Sequence, residues 1–253
     1  MMRFTLYHLD ETDSTNRWLK EHGGEEDMVV WADYQTSGHG CGTNSWEGER
    51  GKNLLFSILL HPKHEMGGQL RDSEDNVPTL VRMNEAQFQL SMAISLAITE
   101  AVGNVMGDLS IKWPNDIYWR NCKLGGILIE HTLQGGRIKN SIIGVGLNVN
   151  QTVFTSGAPN PVSMKQVCEH NFDREQLLRD ILDAFERFVK DPSKLKVWYM
   201  SKLYRQKGYH PYTDSDGVFM ARIENVTDDG RLVLNDDNGR ERRYAFKEVQ
   251  FVI

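Results

Sequence analysis

Cysteine is scarce in this chain. The three residues, Cys41, Cys122 and Cys168, are odd in number and have no metal-ligand spacing. They argue against a disulfide framework or a structural zinc site and fit a reducing cytoplasm. Long apolar runs are missing too: none approaches the ~20 residues of a membrane helix. The opening MMRFTLYHLDETDS lacks the apolar core of a secretion signal. Nor is there a basic excess. With 29 Lys and Arg against 35 Asp and Glu, the formal charge is −6, so no overall positive field invites nucleic acid. What is present, 253 residues with 40% hydrophobic content, is enough for a large domain with a good core, or a large one plus a small one.

Hydrophobic periodicity and turn residues divide the chain. Phe4 to Leu9 predicts a strand, and Asp13-Ser14-Thr15-Asn16 opens a helix that Gly23-Gly24 closes; any of the four can cap it. Met28 to Tyr34 and Asn53 to Leu60 predict further strands, the second apolar enough for a sheet centre. Between them Gln35 leads into residues 36–46, where Gly38, Gly40 and Gly42 let backbone N–H groups wrap an anion. This is not a P-loop, because neither Gly-Lys-Ser/Thr nor a helix pattern follows. Residues 62–82 turn polar and predict a surface insertion. Asn84 is the expected cap of a helix with Ala86, Leu90, Ala93, Ile94, Ala97, Ile98 and Ala101 on one face. Asp173 caps a helix through Lys190, and Pro192 starts another that ends at Gly208. From residue 209, short β-like runs over 219–223, 231–234, 243–246 and 248–252 alternate with Asp-Asp-Gly and Asp-Asn-Gly turns. They predict a small SH3-like barrel.

The stretch with most chemical promise is KWPNDIYWRNCKLGGILIE, Lys112 to Glu130. It predicts strand, polar turn, strand, two-residue hairpin at Arg120-Asn121, then a third strand. Pro114 ends the first strand because it has no N–H for the ladder. Asn115 and Asp116 follow at the turn. Lys123 stands just ahead of Gly125-Gly126, glycines that suggest close approach to the backbone. Spacing alone favours an ordinary β-meander with a solvated lysine.

The paired motifs K-W-P-N-D-I-Y and K-L-G-G-I-L-I-E, however, are similar to the central signature of the biotin protein ligases, in that family's order and separation. The resemblance covers nearly the whole chain apart from 62–82. It implies an α+β fold, a mixed, largely antiparallel sheet with helices packed on one face, of the class II synthetase-like biotin/lipoate ligase type. It also implies two domains: residues 1–207 for catalysis and 208–253 for the SH3-like β-barrel. The implied reaction activates biotin with ATP and Mg²⁺ to biotinyl-5′-AMP, then transfers biotin to a lysine of a biotin carboxyl carrier domain. Lys123 is the expected catalytic cation. Asp116 would hold Mg²⁺ against the phosphates or accept hydrogen bonds from the nucleotide. Biotin is expected against Ser14, Thr15, Asn16, Gln35, Gly38, His39, Gly40, Cys41, Lys123, Gly125 and Gly126. ATP and the adenylate are expected against Asn44, Trp46, Lys112, Asn115, Asp116 and Asn148, the last completing G-V-G-L-N. Asn160-Pro161-Val162-Ser163-Met164 resembles a structural segment of the family in weaker form.

A cytoplasmic enzyme is implied, with no membrane partner. DNA binding has no support in the sequence, which starts at the catalytic region. A homodimer paired through sheet edges is compatible with the resemblance. The alternatives are a lipoate or octanoate ligase or transferase on the same scaffold, and a biotin- or carrier-binding protein with weakened catalysis. One departure motivates the last. The family loop runs G-R-G-R-x-G-x-x-W, and its arginines fall here at His39 and Cys41. An arginine fork grips phosphate through two parallel N–H bonds, and a mostly neutral imidazole does not. The adenylate is therefore expected to be held less firmly, unless another cation compensates; Arg50 and Lys52 are near in sequence.

Overall fold

The structure, a computed structural model, describes residues 4–40, 42, 44–61, 79–135, 137–155 and 160–253, without the side chains of 79–82 and 137. In order, its elements are β1 (Thr5–Leu9), α1 (Thr15–His22), β2 (Met28–Ala32), β3 (Leu54–Leu60), α2 (Thr79–Gly103), β4 (Leu109–Lys112), β5 (Asp116–Trp119), β6 (Cys122–Gln134) and β7 (Arg137–Leu147). There follow α3 (Met164–Cys168), α4 (Arg174–Lys190), α5 (Leu195–Ser201), β8 (His210–Asp214), β9 (Gly217–Val226), β10 (Leu232–Asp236), β11 (Glu241–Tyr244) and β12 (Gln250–Phe251).

β1 to β7 form one sheet in the order β1-β2-β3-β7-β6-β5-β4. Only β1 and β2 run parallel; the other neighbours are antiparallel. Every residue of β3, LLFSILL, is buried, because both faces of the sheet are covered there. Strand side chains alternate between faces. Leu54, Phe56, Ile58 and Leu60 meet the main core with Ile94, Ala97 and Ile98 of α2 and Leu178, Ile181 and Phe185 of α4. Leu59 faces the other way, with Met28, Val30, Ile142 and Leu19 of α1. The expectation of helices on one face therefore holds for α2 and α4, whereas α1 covers the opposite face at the β1–β3 end. Ser57, which meets Thr15 and Asn16, and Gly146, which meets Trp46, also face this second side.

One irregularity re-aims a side chain. Along the β5–β6 ladder Ile117 pairs with Gly125 but Tyr118 pairs with Lys123, so Leu124 is an extra, unmatched residue, a β-bulge. Leu124 and Ile127 both join the main core. Lys123 and Gly126, three apart, consequently share the second face, which regular alternation would forbid.

β8 to β12 form a separate five-stranded antiparallel sheet in the order β11-β10-β9-β8-β12. Its Tyr212, Ala221, Ile223, Leu232 and Leu234 are continuous with the main core. The Trp113 indole also donates to the Gly230 carbonyl at 2.9 Å. β8 went unpredicted because Pro211 and the polar ends of HPYTD mask its strand character.

Other boundaries also differ from expectation. α2 begins at Thr79, so Asn84 lies within a helix instead of capping one; helix propensity is a weak preference that tertiary packing overrides. Most of the expected 62–82 insertion falls outside the described residues. The last helix stops at Ser201, well before Gly208. Asp173 does cap α4, accepting from the N–H groups of Glu175 and Gln176. No helix among the described residues is long and apolar enough to cross a membrane.

Candidate active site

A cavity of about 910 Å³ opens on the second face of the large sheet and is closed on one side by the C-terminal sheet. Most of the residues singled out from the sequence line it: Ser14, Thr15, Asn16, Gln35, His39, Gly40, Asn44, Trp46, Lys112, Asn115, Asp116, Lys123 and Gly126.

Its inner end is a chain of polar side chains. The Thr15 backbone N–H and hydroxyl both donate to the Gln35 side-chain oxygen Oε1, at 2.7 and 3.0 Å. The Ser57 hydroxyl lies 2.7 Å from Thr15 Oγ1 and 2.6 Å from Asn16 Oδ1. The Asn16 amide donates to Glu130 at 2.8 Å, and Lys20 holds the other Glu130 oxygen at 2.7 Å. The capping expectation is thus corrected: Ser14 is the N-cap residue but makes no side-chain cap bond, and Thr15 and Asn16 sit inside α1 with their polar groups turned to this network. Gly144 on β7 makes room for it, because a Cβ there would collide with the Asn16 amide.

Burial alone would raise the Glu130 carboxyl. The hydrogen bonds from Lys20 and Asn16 outweigh it and hold the group below its ordinary range. A carboxyl so depressed stabilises the fold above its unfolded-state pKa and loses that contribution as pH falls through the folded value. Glu130→Gln is therefore expected to lower Tm at neutral pH, with the gap from the parent closing below about pH 4. Thermal melts across this range check it; a gap that stays constant would refute the assignment.

Lys123 occupies the middle of the wall. Its ammonium pairs with Asp116 at 2.7 Å, both side chains being partly buried, and lies 5.9 Å from the Trp46 ring. An ammonium has three N–H donors, so the pair leaves donors for an incoming anion. Trp46 lies over two glycines: a Cβ on Gly146 would strike its ring, and one on Gly126 would sit 3.2 Å from it. The Trp46 indole nitrogen is buried without a partner among the described residues, a donor awaiting an acceptor. Lys112 lies farther out, 5.1 Å from the Tyr118 ring and 5.3 Å from Phe251. Burial, with the charges of Lys123 and Arg205, lowers its pKa against the opposing pull of Asp116. Burial and the Asp116 charge push the Tyr118 phenol well up.

Several expected residues are not on the wall. Gly38 sits behind it, its carbonyl accepting from the Trp46 backbone N–H at 2.9 Å, and a Cβ there would lie 2.8 Å from the Trp46 carbonyl oxygen. Gly125 is a ladder residue between Ile117 and Leu147. Asn148 is buried and gives its amide to the Val162 carbonyl at 3.1 Å. Asn115 reaches the wall, but its amide clasps the Ile127 carbonyl at 2.5 Å and so bolts the turn to β6. Cys41 lies outside the described residues. Arg50 is tied to Glu11 and the Asp10 carbonyl and stacks on Tyr34, away from the cavity. Lys52 does not line it either.

Asp116 is the one acidic side chain on the wall among the described residues, and it is engaged by Lys123. No group of three or more His, Cys, Asp or Glu among the described residues is placed to hold a metal. Mg²⁺ demands near-octahedral oxygen ligands and usually takes one or two carboxylates plus substrate phosphates. The described residues thus form no resident metal site, and the expected Mg²⁺ contact at Asp116 would be one carboxylate completed by the nucleotide's own phosphates.

Sequence reasoning missed Ser57 and Glu130, which hold Thr15 and Asn16 from behind, and the lining residues Tyr118, Phe246, Lys247, Val249, Gln250 and Phe251. Ser57 carried a signal, as the one polar residue in LLFSILL. The C-terminal wall carried none, since its place depends on how two sheets meet.

Residues 8–148 match the profile of the Biotin/lipoate A/B protein ligase family. The chain is 28% identical over 251 residues to the biotin--[acetyl-CoA-carboxylase] ligase of Paracoccus denitrificans, covering 92% of this chain and 95% of that protein. It is 27% identical over 260 residues to the bifunctional ligase/repressor BirA of Bacillus subtilis, covering 97% of this chain and 73% of that protein. In fold it is similar to the biotin protein ligase from Aquifex aeolicus solved in complex with biotin and ATP, with a TM-score of 0.74, 24% identity, and coverage of 98% of this chain and 99% of that one.

Proposed function

Because this chain belongs to the Biotin/lipoate A/B protein ligase family, we propose that it is an ATP-dependent biotin protein ligase whose reaction runs in the cavity around Lys123. The observation that carries the reading is the half-buried Lys123–Asp116 pair, set on the same wall as the Thr15–Asn16–Glu130 network and the glycine-rich turn at Gly40. A carboxylate must meet a nucleotide phosphate there, and two anions approach only where fixed positive charge is already in place.

In the first step a carboxylate oxygen of biotin attacks the α-phosphorus of ATP. The bond to the bridging oxygen breaks and pyrophosphate leaves, giving biotinyl-5′-AMP. In the second, the neutral amine of a carrier lysine attacks the acyl carbon, AMP departs with the electrons of the acyl–oxygen bond, and the amine loses a proton as the amide forms. Lys123 draws the two anions together and then stabilises the oxyanion. Asp116 aims the Lys123 ammonium. Ser14, Thr15, Asn16 and Gln35 shape the recess for the ureido ring, and the orphan Trp46 N–H donates to a substrate oxygen. Lys112, Asn44 and Asn115 border the nucleotide, whereas Asn148 supports the wall from behind. Mg²⁺ enters on the nucleotide phosphates as part of the substrate.

The acceptor we propose is a biotin carboxyl carrier domain. The C-terminal sheet we read as the SH3-like barrel, a domain from about residue 208. Its five short antiparallel strands and their Asp/Asn-Gly turns support that. Its part in the cavity wall supports a role in closing the site.

The test is to mix the protein with Mg-ATP, biotin and a carrier domain and to weigh the carrier. The expected result is a mass gain of one biotinyl group on the carrier lysine, absent when lipoate replaces biotin. No gain, with biotin bound but ATP unconsumed, would overturn the ligase reading in favour of a binding protein.

A further inference from the structure

Among the described residues, the basic side chains on the cavity wall are Lys112, Lys123, Lys247 and His39. Two of the lysines are committed. Lys123 is paired with Asp116, and Lys112 lies between the Tyr118 and Phe251 rings in the field of the same carboxylate. Lys247 differs. It comes from the C-terminal sheet, between β11 and β12, and no carboxylate among the described residues pairs with it. Its backbone is left-handed, with φ 70°, a conformation uncommon for a residue with a side chain and concentrated at functional sites. The stem passes the Phe246 ring, with the ammonium 5.6 Å from its centre. The ammonium then closes on Gly42, at the tip of the glycine-rich turn, where a Cβ would collide with it; Gly42 itself has φ 74°. The Gly40 N–H is turned back onto the Asn44 carbonyl at 2.8 Å, so the donor offered to an anion at this turn is the Lys247 ammonium, which suits a phosphate.

We propose that Lys247 binds phosphate oxygens of the nucleotide, a third cation of the site carried in from the C-terminal sheet to meet the turn at Gly40 and Gly42. The turn has no arginine of its own at position 39 or 41, so the positive charge reaches it from the opposite wall. Nucleotide binding then draws the two sheets together across the cavity. The inference rests on the ligase reading for its ligand, but not for its test.

The experiment uses the full chain and two independent readouts. One is Mg-ATP affinity by equilibrium dialysis; the other is the KM for ATP and for biotin in pyrophosphate exchange. Loss of one charge-assisted hydrogen bond predicts that Lys247→Ala weakens ATP binding and raises its KM by about 10- to 100-fold, with biotin KM within about twofold. Lys247→Met, which keeps the stem over Phe246, should show the same loss, and Lys247→Arg should retain most of the affinity. His39→Arg added to Lys247→Ala should recover part of it. Unchanged ATP affinity in Lys247→Ala, or equal losses for ATP and biotin, would overturn the proposal. Absence of exchange in the parent protein would count against the ligase reading alone, because the dialysis arm would still decide the role of Lys247.

Discussion

Lys123→Ala is expected to lower biotin-dependent ATP–pyrophosphate exchange by about 100- to 1,000-fold, the usual cost of removing one preorganised group that meets developing charge. Carboxylate and triphosphate repel each other, and in a partly buried site that repulsion is screened far less than in water. In the proposed reaction the Lys123 ammonium offsets it, held by Asp116 at 2.7 Å. The side chain is partly exposed, so its loss leaves no deeply buried unpaired charge and the fold should survive, with circular dichroism as the control. Exchange within about threefold of the parent would remove Lys123 from the chemistry, since so small a change is under 1 kcal/mol of barrier.

Gly144→Ala is expected to damage stability and binding together. The added carbon would land on the Asn16 amide, in a strand whose neighbours across the ladder are Ser57 and Leu128. Overpacking of this kind costs about 1–3 kcal/mol. Displacing Asn16 also takes a hydrogen bond from Glu130 and an acceptor from Ser57, adding about 1–3 kcal/mol for groups left unsatisfied. A total near 2–6 kcal/mol would lower Tm by roughly 4–24 °C in a chain of this size. Biotin affinity should fall with it, measured by calorimetry. A double-mutant cycle gives the decisive reading: with Asn16→Ala already in place, Gly144→Ala should cost little. Additive losses would mean that the two residues do not meet as described.

The large sheet and its helices were largely legible before the structure. Strands with unmixed apolar character, such as β3, and a helix with a capping carboxylate, such as α4 at Asp173, announce themselves locally. So did the gathering of Thr15, Asn16, Gln35, Trp46, Asp116 and Lys123, through motifs whose order matches a family. What stayed hidden is of two kinds. Asn148 and Gly125 sit in the right motifs but behind the wall; a motif fixes neighbourhood, and only the ladder fixes facing. Lys247 and Phe251 belong to no motif, and their nearness to Gly42 and Lys112 arises from the docking of two sheets. The choice of Arg50 as a compensating cation failed similarly: its closeness in sequence counted for less than the carboxylate of Glu11.

The extra residue at Leu124 has a consequence for how this segment tolerates change. Loops accept gain or loss of a residue because nothing downstream depends on their parity. Between Lys123 and Gly126 parity is everything: drawing Leu124 into the ladder at unchanged length would restore an even pleat and swing the ammonium through the sheet, into the oily layer beneath α2. The reaction proposed above thus hangs on one bulge in a strand, and ironing it flat would silence that reaction while leaving every motif letter in place.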